Sequence, residues 1–194
     1  MTKNWVEELV AERYRLDDYI VITNLDLPMP KTERRRIRGH SDIDVLAIKN
    51  NEIIHVECQT WWGPEKKNEK RELNRLKERF DVSSKVLFER YGFLKNVFQT
   101  PPPTITKVFV TSGRPKKIQE DESEGSWRRL KDFCEENGIQ LKEINDIVKE
   151  FIEKIREKYP KPNIIGKEES YVTRLLIHLI HNGFINERRT TQEE

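Results

Sequence analysis

Residues 42–59 read DIDVLAIKNNEIIHVECQ, with two acids at one end, Asp42 and Asp44, and Glu57 and Gln59 at the other. Acids held inside an otherwise apolar segment need a reason. Asn50-Asn51 lies midway, and Asn accepts the positive φ angles that a two-residue hairpin turn demands. That turn sets Lys49 against Glu52 and Ile48 against Ile53. Carried outward, the same register sets Asp44 against Glu57 and Asp42 against Gln59. Opposed residues on neighbouring strands have their β-carbons only about 4.5–5.5 Å apart, so two carboxylates there repel. Partly buried, they need a shared proton, a nearby cation or a metal ion. Mg²⁺ is content with one or two carboxylates, a carbonyl and waters. The main-chain carbonyl of Cys58, between Glu57 and Gln59, is available to it. The chemistry of such a site is phosphodiester hydrolysis, in which the metal polarises the phosphate and lowers the pKa of a bound water. A plainer alternative is a sheet edge with solvated acids, and the matching register of the two acidic pairs favours the site.

The strands alternate between faces. One face of the hairpin carries Ile43, Val45, Ala47, Ile54, Val56 and Cys58. The other carries Leu46, Ile48, Ile53 and His55 before it reaches the acids. Around the hairpin, residues 4–16 have helical spacing through Trp5, Val6, Leu9, Val10 and Tyr14. Residues 19–27 are strand-like by β-branched content. Residues 63–92 form one long amphipathic helix or two abutting ones, with Pro64 in the first turn and Gly92 past the end. TPPPT at 100–104 is a connector. A strand follows at 106–113, a helix at 126–138 closed by Gly138, a short strand at 139–144, and a helix at 145–160 capped by Asn145. After a linker at 161–170 comes a last helix at 170–184. This order describes an α/β domain with one mixed sheet and helices packed on it. Residues 1–159 are read as the domain and 160–194 as a linker with a C-terminal helical extension.

Bulk properties set limits. The 194 residues suffice for one domain with a core. Charged residues make up 36% and the net charge is only +2, so a polyanion-binding surface has to come from local clustering. Abundant Lys, Glu, Arg and Ile hint at a thermophilic source. The two cysteines, Cys58 and Cys134, fall in apolar segments and read as small core residues. No apolar run is long enough to span a membrane, and Met1 to Glu8 is too polar for a signal peptide. A reducing cytoplasm is the expected location.

GHSDIDVLAI followed by IIHVECQ, within the order helix, three strands, helix, strand, resembles the PD-(D/E)XK nuclease superfamily. The nearest group in character is the archaeal Holliday junction resolvases and Mrr-like restriction endonucleases. The resemblance covers roughly residues 4–155. It implies a restriction-endonuclease-like αβββαβ core and metal-dependent DNA cleavage with Mg²⁺ or Mn²⁺. On that basis Asp44 is the central metal ligand, Glu57 the second, and the Cys58 carbonyl the third. Gln59 stands where the family usually has Lys. Lys orients the attacking water or steadies charge on the phosphate, whereas Gln can hydrogen-bond but brings no charge. Lys66, Lys67 or Lys70 of the next helix is a substitute by position. The alternative is a scaffold that binds nucleic acid without cutting it. The family also places an acid in the first helix. Glu7 borders the apolar arc there beside Tyr14, Glu8 points away, and Glu12 at the other border is second choice.

Lys31, Arg34, Arg35, Arg36 and Arg38 form a basic run that leads straight into Asp42, as a phosphate-backbone partner such as DNA requires. Asp42 and His55 are auxiliary candidates at the site, and Trp61 or Trp62 could stack on a base. His178 and His181 lack the companions of a zinc site. Cutting two strands of a symmetric duplex or junction would suit a homodimer.

Overall fold

The computed structural model describes residues 4–27, 42–63, 66–89, 104–112, 120–160, 170–182 and 185. The basic residues Lys31, Arg34, Arg35, Arg36 and Arg38 lie outside them, as do Pro64, Gly92 and Gly183. The elements are α1 (Trp5–Leu16), β1 (Ile20–Asp26), β2 (Asp42–Lys49), β3 (Glu52–Cys58), α2 (Lys66–Glu89), β4 (Thr104–Thr111), α3 (Glu120–Glu136), β5 (Ile139–Glu143), α4 (Ile144–Lys158) and α5 (Tyr171–His181).

One sheet takes the strands in chain order, β1 to β5. β1, β2 and β3 are antiparallel neighbours, and β4 and β5 join in parallel. The parallel pairs need long crossovers, which α2 and α3 supply. The sheet therefore has helices on both faces, the mixed α/β architecture of the restriction-endonuclease-like fold. On one face Val45, Ala47, Ile54, Val56, Cys58, Val108 and Val110 pack with α1, α4 and α5 through residues such as Val10, Phe151 and Ile177. On the other, Leu46 and Ile53 meet Val86 and Leu87 of α2, and Phe109 meets Phe80 of α2 and Leu130 of α3. No helix among the described residues is long and apolar enough to cross a membrane.

The hairpin turns at Asn50, whose φ of 52° is the left-handed value Asn tolerates; Asn51 does not share it. Lys49 pairs with Glu52 and Ile48 with Ile53, as the turn requires. That ladder ends at Val45–Val56, one pair short of the acids. Asp42 instead pairs with Asp26 of β1. Ile43 also departs from simple alternation, packing with Leu27 and Leu46 on the α2 side. Across β1, Asn24 has a φ of 52°, and the β1–β2 register passes from Thr23–Val45 to Leu25–Ile43 without an Asn24–Asp44 pair. A left-handed residue in a strand bends it and re-aims the neighbouring side chains.

Helix ends differ from expectation, most clearly in α3 and α4, and α5 closes at His181 rather than near 184. α3 begins at Glu120, upstream of the Ser126 start read from the pattern. α4 begins at Ile144 with Glu143 as its N-cap, so Asn145 lies inside the helix. Ile144 is buried, and packing carries β5 directly into α4 without a polar cap. α5 does use a side-chain cap: Ser170 Oγ accepts from the Thr173 N–H at 3.2 Å.

Candidate active site

The site forms where β2 begins and β3 ends, and α1 and α2 pass on opposite sides of the sheet. β3 is almost wholly buried, because helices cover both its faces. Its alternation sends Ile53, His55 and Glu57 toward α2. The buried face of α2 runs Leu76, Phe80, Ser83 and Leu87, at spacings of four, three and four. Ser83 and Phe80 receive His55: Ser83 Oγ lies 2.8 Å from Nδ1, and the Phe80 ring centroid is 4.7 Å from the imidazole.

Glu57 is 1% exposed, and a buried carboxylate must be compensated. His55 Nε2 lies 2.8 Å from Oε1, and Arg79 Nη1 donates to Oε2 at 2.8 Å. Burial pushes the Glu57 carboxyl up, but the His55 hydrogen bond and the charge of Arg79 outweigh it and hold Glu57 below the usual Glu range. An ionised Glu57 accepts only, so His55 Nε2 carries its hydrogen. Nδ1 can then accept from the Ser83 hydroxyl. If Nδ1 is also protonated, the hydroxyl turns to the Phe80 carbonyl, 3.1 Å away.

Asp44 is compensated far less. Its Oδ2 accepts the Cys58 N–H at 2.6 Å, the contact that takes over where the strand ladder stops. Burial, then the charge of Glu57, pushes its carboxyl up to about 8; Glu7 adds to this, while the Cys58 N–H and Arg79 oppose it. Glu7 of α1 is also raised, first by burial and then by Asp42 and Glu57, against hydrogen bonds from the side chains of Asn24 and Asn4. Glu7 of α1 thus feels Asp42 and Glu57, and Asp44 of β2 feels Glu57 and Glu7. Cys58 lies among them, buried, its thiol pushed well above the usual range by burial and by Asp44, Glu57 and Glu7.

Glu7, Asp44, Glu57 and Cys58 come together, with Asp42 at the margin and His55 behind Glu57. Gln59 is exposed and turned aside: its Nε2 donates to the Trp61 carbonyl at 2.8 Å and its N–H to the Val110 carbonyl at 2.9 Å. Lys70 is exposed, and so is Lys67; Lys66 opens α2, and its side chain lies outside the described residues. Trp61 is half exposed, and Trp62 is buried edge-on to Phe109. Glu12 faces α5, where it accepts from the Thr173 hydroxyl at 3.3 Å. Arg79 belongs to the basic set of helix 63–92 (Lys66, Lys67, Lys70, Arg71, Arg75, Lys77 and Arg79), for which ion pairs with acids of the same helix are the expectation. Arg71 and Arg75 pair with Glu72 in that way, whereas Arg79, beside Phe80 at the border of the buried stripe, pairs with Glu57 of β3.

Among the described residues no group of three His, Cys, Asp or Glu is gathered as metal ligands. A Mg²⁺ or Mn²⁺ site would draw on two carboxylates, Asp44 and Glu57, with the Cys58 carbonyl and waters, a donor set those ions accept. Asp44 fits that role best, since its raised proton affinity marks a carboxylate short of positive charge.

No curated protein and no solved structure matches the chain. A family model does, the nuclease-related domain, over residues 2–100, which span α1, the hairpin and α2. With the mixed sheet and the acids at its end, that match over half the sequence places the chain in the nuclease-related domain family, a branch of the PD-(D/E)XK-like nuclease superfamily.

Proposed function

We propose that the protein is a Mg²⁺- or Mn²⁺-dependent DNA endonuclease, restriction-like or structure-specific, that hydrolyses phosphodiester bonds at Asp44 and Glu57. The observation that carries the reading is Asp44: a half-buried carboxylate beside Glu57 and Glu7 with a single main-chain N–H on it. Asp44, Glu57 and the Cys58 carbonyl would hold the divalent cation. When bound, such an ion polarises the phosphate and supplies a water of lowered pKa. Glu7, whose own proton affinity is raised, would take the proton of the attacking water as the new P–O bond forms and one ester P–O bond breaks, the leaving oxygen taking a proton from solvent to become a hydroxyl. His55 and Ser83 keep Glu57 in its rotamer. Lys31, Arg34, Arg35, Arg36 and Arg38 would bind the DNA backbone. They belong to the segment that leaves the sheet after Asp26 and re-enters it at Asp42, and those two residues are paired beside Asp44.

A second reading has its own observation. Gln59 brings no charge and is tied to Trp61, and both oxygens of Glu57 are engaged. On that reading the same surface binds nucleic acid without cutting it. Incubation of supercoiled plasmid and labelled four-way junctions with Mg²⁺ or Mn²⁺ separates the two. Cleavage by the native chain and its loss in Asp44→Ala is the expected result, and preference for junctions would favour a resolvase. Salt-sensitive binding without cleavage in either metal would sink the nuclease reading in favour of the second.

A further inference from the structure

The family motif puts a lysine after the second acid, and this chain has Gln59 there. Phosphoryl chemistry at a cluster of acids still needs a positive charge facing the phosphate. Three observations bear on where it comes from. Gln59 points its amide at the Trp61 carbonyl, and Lys67 and Lys70 at the start of α2 are exposed. Arg79, about three turns further along α2, reaches the end of β3 and places Nη1 2.8 Å from Glu57 Oε2. Its side chain is 20% exposed against 2% for Glu57, so Arg79 reaches solvent where the acid it bonds does not. A guanidinium has five N–H donors in a planar fork suited to phosphate oxygens. Among the described residues Arg79 spends them on Glu57 alone. It bonds an acid of the site directly. Its α2 neighbours Arg71 and Arg75 both pair with Glu72.

We infer that Arg79 is a further catalytic residue of this site: its free N–H groups contact the phosphate and take the place of the lysine that Gln59 replaces. The inference rests on the nuclease reading above for the phosphate's identity as the reacting group. The contact itself is measurable without cleavage.

The test uses the full chain, a short DNA duplex and Ca²⁺ in place of the catalytic ion. Binding is measured across a salt series for native protein, Arg79→Gln and Arg79→Lys. Each phosphate contact contributes about one to the slope of log K against log salt. Arg79→Gln should lower that slope by about one, and Arg79→Lys should keep it. Leaving buried Glu57 with His55 alone can unfold the Gln variant, so the same comparison is made between Glu57→Gln and the double variant Glu57→Gln/Arg79→Gln, where neither charge of the pair remains. In Mg²⁺ or Mn²⁺, Arg79→Gln should cut about 10²-fold more slowly. Adding Gln59→Lys to it should recover at least part of that loss, which repair of a merely structural defect would not. An unchanged salt slope in both backgrounds overturns the inference and leaves Arg79 a partner of Glu57 only. DNA binding with the expected slopes but no cleavage by native protein overturns the nuclease reading and retains the phosphate contact. No DNA binding at all overturns both.

Discussion

Asp44, half-buried, and Glu57, fully buried, lie on adjacent strands, and their affinities for a proton move in opposite directions. The difference is one of partners. Glu57 has His55 and Arg79, while Asp44 has one peptide N–H and two acidic neighbours. In the unfolded chain Asp44 releases its proton at about pH 4, and in the folded chain it keeps it to about pH 8. Across that window the folded state binds the extra proton, so Asp44 withdraws stability as pH rises, with the loss complete above its folded pKa. Glu57 acts in reverse: its contribution is present above the usual Glu pKa and disappears as pH falls through its depressed folded value. Asp44→Asn retains an acceptor for the Cys58 N–H and removes the charge. Without divalent cations it should melt several degrees higher than native protein at about pH 8.5, with the gap shrinking toward about pH 4.5, since about 1 kcal/mol shifts Tm by ~2–4 °C at this size. Thermal unfolding followed by circular dichroism at both pH values decides it; a gap independent of pH would remove the electrostatic account of Asp44.

At the scale of elements, β1 makes the site possible by bending. Asn24 is left-handed where the β1–β2 register lacks its Asn24–Asp44 pair, and its amide serves Glu7 of α1. In an ordinary strand Val is favoured over Gly. Here the order should invert: Asn24→Val should cost about 1–3 kcal/mol, because a β-branched residue resists positive φ, and Asn24→Gly less than about 1 kcal/mol. Urea unfolding of the two variants measures this, and a Val variant more stable than the Gly one would contradict the bend. The same bend marks where sequence reasoning stops. Register near the turn was legible, because Asn50 and strict alternation fix Lys49–Glu52 through Val45–Val56 locally. The place of Glu7 beside the other acids was also within reach, since the 3.6-residue period of α1 puts it at the border of the buried arc. Ile43's face and the end of the ladder before Asp44 were not, because they depend on a left-handed Asn in another strand. The Glu57–Arg79 pair joins residues 22 positions apart across two element types, and no local period encodes it. Asn145 looked like a cap by residue type alone, and burial of Ile144 overrode it.

On the scale of the whole molecule, the sheet divides the interior into separately packed faces, and α5 belongs to one of them. Ile177 and Thr173 are fully buried against the α1/α4 side, and the His181 ring lies 3.1 Å from the Tyr159 carbonyl. We propose that residues 160–194 are an extension beyond the 1–159 domain whose helix docks on it and completes that face. The two free cysteines fall on opposite sides of this division, Cys58 with α1, α4 and α5, and Cys134 on the buried side of α3 with Phe80 and Phe109. Each thiol reacts only when its own layer opens, because alkylation requires an exposed thiolate. The chain therefore carries a pair of built-in clocks, one for each side of the sheet. Truncation after residue 159 should speed maleimide capture of Cys58 at least several-fold and leave Cys134 near its native rate, as followed by mass spectrometry. Equal acceleration of both would mean that α5 steadies the whole fold. Because Cys58 also lies between the acids of the site, its clock would register any ligand that draws Asp44 and Glu57 together, even one that leaves no product behind.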